Sequence, residues 1–386
     1  MNGLEIAVLL GLVLLVGGIL SHRLHVSTPL VLLLLGGILG FIPLFDGLEL
    51  EPDLVLLLFL PALLYWESLN TSVREMKRNL RVILLSAVPL VLVTAAAVAV
   101  VGHAFGLPWS VAIALGAILA PTDATAVVAV AGPLPRRTLT ILRAESLIND
   151  GTALAVYAVA VAAAVAEREI NLGTGALRFL AAYAGGILIG AAIAALVVAI
   201  RRLLPNRLLA NTTSVLTPFL AYLPAELLGV SGVIAVVTCG LVLSFYGPRI
   251  VSASARTQVY NFWELATFVL NGSLFVLIGL EIHRVMLEVD HEWQPALGLG
   301  LLAALAVIAV RFAWLNTTPY IIRALDRRPQ QRERRVSARQ RLPIAWAGFR
   351  GAVSLAAALA LPGSWPTGRP SPGAISSSPS RSSSSS

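Results

Sequence analysis

Two short stretches put polar and charged side chains inside runs that are otherwise apolar over membrane length. One is Ala120-Pro121-Thr122-Asp123; the other is Glu145-Ser146-Leu147-Ile148-Asn149-Asp150-Gly151. An ionisable group at bilayer depth costs about 2.5–3.5 kcal/mol even on a lenient insertion scale, so it marks function by default. Carboxylates, an amide and hydroxyls at this spacing suit one chemistry above others. They can strip a small cation of its water and hold it, then release it to a proton. Asp150 is the best candidate for the exchanging carboxylate, because a buried carboxylate is a group for which proton and cation compete. Glu145, Ser146, Asn149 and Asp150 follow an i, i+1, i+4, i+5 pattern that lines one helix face. Asn149, being neutral, serves to orient its neighbours.

These groups need helices to position them. Composition supplies the setting: 57% of the 386 residues are hydrophobic and 12% are charged, about half the charge of a soluble domain. The chain reads as an all-α polytopic membrane protein. About 20 apolar residues cross a bilayer. Spans are expected near 4–21, 28–45, 53–72, 79–102, 109–131, 143–166, 176–201, 209–228, 230–247, 258–283, 295–322 and 341–362. The excess of Lys and Arg invites a nucleic-acid reading. It is set aside because the basic residues fall in short segments between spans, as the positive-inside rule requires. Arg23, the Arg74–Arg81 group, Arg136, Arg137, Arg143, Arg201, Arg202, Arg207, Arg249, Arg256 and the Arg-rich 323–341 follow odd-numbered spans. Acidic residues gather after spans 2 and 10. The expectation is a cell membrane, plasma or bacterial inner, with the N-terminus outside. Trp109, Trp263, Trp293 and Trp314 fall near expected interfaces, where an aromatic belt is the simple reading. The single cysteine, Cys239, excludes an internal disulfide.

Spans 5 and 6 run in opposite directions and bring Asp123 and Asp150 to similar depth. Pro121 removes a backbone hydrogen bond just ahead of Thr122 and Asp123, and Gly348 and Gly351 allow a similar departure in span 12. Broken helices at the midplane offer carbonyls and half-helix ends to an ion. Arg350, inside span 12, needs an acidic partner, and Glu145 is the natural choice. Glu67 closes span 3, facing either the site or the interface. Glu226, Glu264 and Arg311 read as structural pairs or interface residues. Residues 363–386 are rich in Pro, Gly and Ser. We read them as a frameshifted segment: with Ser encoded as TCN and Ile as ATC, Gly373–Ser386 read one nucleotide back can give a loop end followed by an apolar run.

Five motifs in order carry a resemblance: Pro121-Thr122-Asp123, Glu145-Ser146-x-x-Asn149-Asp150-Gly151, Tyr222-Leu223-Pro224-Ala225-Glu226, Phe262-Trp263-Glu264 and Gly348-Phe349-Arg350-Gly351. Together they resemble the electroneutral sodium/proton antiporters of the monovalent cation:proton antiporter superfamily. The resemblance implies a thirteen-helix inverted-repeat fold with broken crossing helices 5 and 12. Residues 1–362 would supply helices 1–6 as a first repeat, helix 7 as linker and helices 8–12 as an incomplete second repeat. It implies a homodimer, and Na+ held by Asp150, Asp123, Thr122 and Ser146. It further implies a bond from Glu67 toward Asn149, a Glu145–Arg350 ion pair, no enzymatic activity and no cofactor beyond the transported Na+ and H+. The alternatives are K+/H+ exchange or a proton-coupled small-solute carrier on the same fold. An intramembrane aspartyl protease has no use for Arg350 or for the Glu145 and Ser146 ligands.

Overall fold

A computed structural model describes residues 3–42, 52–121, 136–165, 172–204, 207–288 and 293–325. All regular structure in these residues is helical. The eleven helices are α1 (Gly3–Leu24), α2 (Thr28–Leu39), α3 (Pro52–Leu69), α4 (Val73–Ala104), α5 (Trp109–Leu119), α6 (Arg136–Val165), α7 (Leu172–Leu203), α8 (Arg207–Leu227), α9 (Gly232–Ile250), α10 (Ala253–Glu288) and α11 (Trp293–Leu325). They correspond one to one with the first eleven expected spans. The twelfth, 341–362, and the tail 363–386 lie outside the described residues. Among the described residues, six helices are long and apolar enough to cross a membrane.

The helices outrun the apolar windows at their basic ends. α4 begins at Val73, so Arg74, Lys77 and Arg78 stand on helix rather than in a loop, and α6 carries Arg136, Arg137 and Arg143 the same way. Backbone hydrogen bonding does not stop where the hydrocarbon does. Hydropathy marks only the part of a helix that lipid requires.

Two turns are cut by glycine in the left-handed region. α8 ends in a Schellman motif: Gly229 has φ +68, Val230 N–H bonds to Ala225 O at 3.0 Å and Gly229 N–H to Glu226 O at 2.9 Å. α4 ends likewise, with Gly106 at φ +90, Leu107 N–H on Gly102 O and Gly106 N–H on His103 O. Only glycine takes that backbone without a Cβ penalty. The carboxylate of Glu226 then accepts from Gly232 N–H at 2.9 Å and caps α9, the structural role expected for it.

Packing sorts the helices into two lobes. α4, α5, α6 and α11 pack on one another. α1, α2, α3, α7, α8, α9 and α10 form the other group, with α2 against α10 and α7 along α9 its broadest interfaces. The lobes meet mainly where α6 touches α3, α7 and α9. The core of the larger lobe gathers Leu60, Leu64 and Tyr65 of α3, Val236 and Cys239 of α9 and Trp263 of α10, with Leu147 of α6 reaching in.

Trp263 departs from expectation. It is 2% exposed, stacks edge-on against Tyr65 at 5.4 Å and donates from Nε1 to Ser214 Oγ at 3.3 Å. It is a core residue rather than part of an interfacial belt, because Ser214 on α8 supplies the partner its N–H needs away from water. Trp109 does keep an exposed face and stacks on His103 at 4.1 Å.

Candidate functional site

The site is built on α6, the helix at the lobe boundary. Its apolar positions face every direction: Ala144 and Ile148 pack on Ile83 and Ala87 of α4, Tyr157 and Ala160 on Ala114 and Ala117 of α5, and Leu147 on the larger lobe. Between residues 141 and 157 no position of α6 is exposed, so a polar group there has no lipid-facing side onto which to escape. The stripe is accordingly buried: Glu145 is 7% exposed, Ser146 3%, Asn149 0% and Asp150 6%. Two carboxylates and an amide held out of water within two turns would be ruinous without compensating partners.

One compensation is visible. Arg311 of α11 is 3% exposed and lies within the electrostatic reach of Glu145. Both helices belong to the smaller lobe. The sequence reading placed Arg311 among the structural pairs without naming its acid, and gave Glu145 to Arg350. The signal for Arg311 was nonetheless present, since it is an arginine in the middle of an apolar span, as Arg350 is.

Close backbone approach shapes the neighbourhood. A Cβ on Gly151 would collide with Cδ1 of Ile234, so α6 meets α9 at a residue with no side chain, immediately after Asp150. A Cβ on Gly116 would run into the backbone carbonyl of Ala95, which seats α5 directly on α4. α5 itself stops at Leu119, two residues ahead of the buried Pro121.

The remaining expected residues divide cleanly. Glu67 sits half-buried in the last turn of α3, whose carbonyl accepts from Thr71 Oγ1 at 2.8 Å, and α3 packs against α6. Thr122, Asp123, Gly348, Arg350 and Gly351 lie outside the described residues. Glu264 is exposed on α10. No group of three or more His, Cys, Asp or Glu capable of holding a resident metal occurs among the described residues.

An all-helical membrane protein of two lobes, with buried carboxylates on the helix between them, has the build of an ion carrier. Comparison with known proteins gives the class a family. The profile described as sodium/hydrogen exchanger, transmembrane, matches residues 11–377. An uncharacterised Na+/H+ exchanger of Mycobacterium tuberculosis (strain ATCC 25618 / H37Rv) is 46% identical over 375 residues, 96% of this chain and 69% of that one. The sodium, potassium, lithium and rubidium/H+ antiporter of Bacillus subtilis (strain 168) is 30% identical over 369 residues, 90% of this chain and 54% of that one. The fold is similar to that of a sodium proton antiporter from Methanocaldococcus jannaschii at pH 8, with a TM-score of 0.71 and 21% identity, covering 92% of this chain and 85% of the other. The chain belongs to the sodium/hydrogen exchanger family, whose members are monovalent cation:proton antiporters.

Proposed function

We propose that the protein exchanges Na+ for H+ across a cell membrane by presenting one site alternately to each side. The observation that carries this reading is the buried stripe Glu145, Ser146, Asn149 and Asp150 on α6, the helix of the smaller lobe that meets the larger one. Asp150 is the group that proton and cation share, with Ser146 beside it and Thr122 and Asp123 completing the ligands. Asn149 and Glu67 orient the site. Glu145 is the ballast of α6, held by Arg311 and, on the sequence argument, by Arg350. Pro121, Gly348 and Gly351 open the helices that cross beside it.

A site carrying a single exchanging carboxylate holds the same charge with Na+ as with H+, so exchange is electroneutral. The smaller lobe moves relative to the larger one. The N-terminus is outside, the arginine-rich helix ends face the cytoplasm, and the protein is a homodimer. A second cation has support: the Bacillus subtilis relative is named for potassium, lithium and rubidium besides sodium, so K+/H+ exchange is the alternative.

The test is transport by the purified protein in vesicles loaded with a pH-sensitive dye and held under a proton gradient. Na+, K+, Li+ and an organic anion are added in turn. Proton movement on adding Na+ supports the reading, and a response to K+ alone replaces it. A response only to the anion defeats it.

A further inference from the structure

Lobes that slide past each other need contacts that hold the seam closed on each face of the membrane. α3 and α4 are consecutive helices of different lobes, joined by the turn at Asn70–Ser72. α9 grips this turn. Ser244 Oγ donates between Leu69 O at 3.1 Å and Thr71 O at 3.0 Å, and Thr71 Oγ1 ties back to Glu67 O at 2.8 Å. The turn is therefore fixed to the larger lobe. The next residue of α9, Phe245, reaches across to the smaller lobe: Lys77 Nζ of α4 stands 5.2 Å from its ring centroid. Tyr246 meets Phe245 edge-on at 5.1 Å and backs the ring.

Resting on the exchange mechanism above, we propose that Lys77 and Phe245 form a latch on the arginine-rich face. It closes the seam between the lobes and opens each time Asp150 is presented to that side. The chemistry suits a latch. An exposed ammonium on a half-buried ring contributes about two- to fivefold to an equilibrium, enough to bias two states and too little to trap one. A carboxylate in place of the ring would itself attract the transported cation. Ser244 pins the turn that begins α4 and Lys77 stands five residues past Ser72, so the latch controls a pivot of α4 about that turn.

Two experiments test this. In a Cys239→Ala background, Lys77→Cys and Phe245→Cys are bridged by a short disulfide-containing bis-thiosulfonate reagent, and proton movement driven by Na+ is followed in vesicles. Bridging should stop exchange and reduction should restore it. Bridged protein that exchanges at full rate, or a pair that never bridges, overturns the latch. In the second experiment, Phe245→Leu should change the apparent Na+ affinity on the arginine-rich face by about two- to fivefold. Phe245→Trp should shift it in the opposite direction, with thermal stability in detergent unchanged. Equal affinities in both variants and wild type overturn the latch too. Wild-type exchange is measured alongside, so loss of the exchange reading itself shows as an inactive wild type rather than as an insensitive variant.

Discussion

The Glu145–Arg311 couple gives the sharpest prediction about stability. Both side chains are nearly sealed from solvent, at 7% and 3% exposure. Substituting one partner leaves the other as an uncompensated charge in a low-dielectric interior, a loss of about 3–5 kcal/mol. A folded domain has about 5–15 kcal/mol in total, so Glu145→Gln or Arg311→Met alone should remove about a fifth or more of it. If the two residues were independent, the double variant would lose about 6–10 kcal/mol by addition. If they compensate each other, the double variant should instead be no worse than either single one. The assay is unfolding of the purified protein in detergent, by heat and by denaturant, for the wild type, both singles and the double. A parallel cycle pairs Glu145→Gln with Arg350→Ala. Strictly additive losses in the Arg311 cycle, with coupling confined to the Arg350 cycle, would refute the reasoning and return Glu145 to the partner expected from sequence.

Other outcomes follow from the site. Asp150→Asn should fold and insert but give no Na+-driven proton movement in vesicles; exchange at the normal rate removes Asp150 from its role. If proton and cation compete for this one carboxylate, the ionised fraction falls tenfold for each pH unit below its pKa. Apparent Na+ affinity measured across pH should weaken by about that factor, and a flat profile points to a separate pH sensor. Gly151→Ala should leave unfolding within about 1 kcal/mol of wild type, since alanine favours helix and Ile234 Cδ1 can turn aside. It should slow exchange several-fold, because the added methyl sits on the α6–α9 seam. Ile234→Val, which lacks Cδ1, should restore the rate; a rate untouched by Gly151→Ala shows that this seam does not move.

Much of the architecture could be read before any coordinates, for a physical reason. Lipid forces each crossing segment to be a long apolar helix, so hydropathy located α1 to α11 and separated the spans 209–228 and 230–247 that became α8 and α9. The polar stripe on α6 was legible on the same grounds, since each of its residues offends the apolar pattern around it. What stayed hidden was tertiary. Trp263 looks interfacial on a hydropathy plot, and only the approach of Ser214 and Tyr65 turns it inward. Arg311 and Glu145 are 166 residues apart in the chain, and no local period links α6 to α11. The division into lobes is a matter of which helices pack together, and a row of equivalent apolar spans carries no record of that.

The placement of Glu145 and Arg311 on two helices of the same lobe also has an electrical meaning. Moving one elementary charge through a full membrane potential costs about 2.3 kcal/mol per 100 mV. Had the acid and the base been divided between lobes, each stroke would drag one of them through the field, and cellular voltage would drive or stall the carrier. Travelling as a couple, they cancel. In the exchange cycle proposed above, the membrane potential then does no net work on this pair, and the buried charge on α6 that it can act on is that of Asp150 and its occupant.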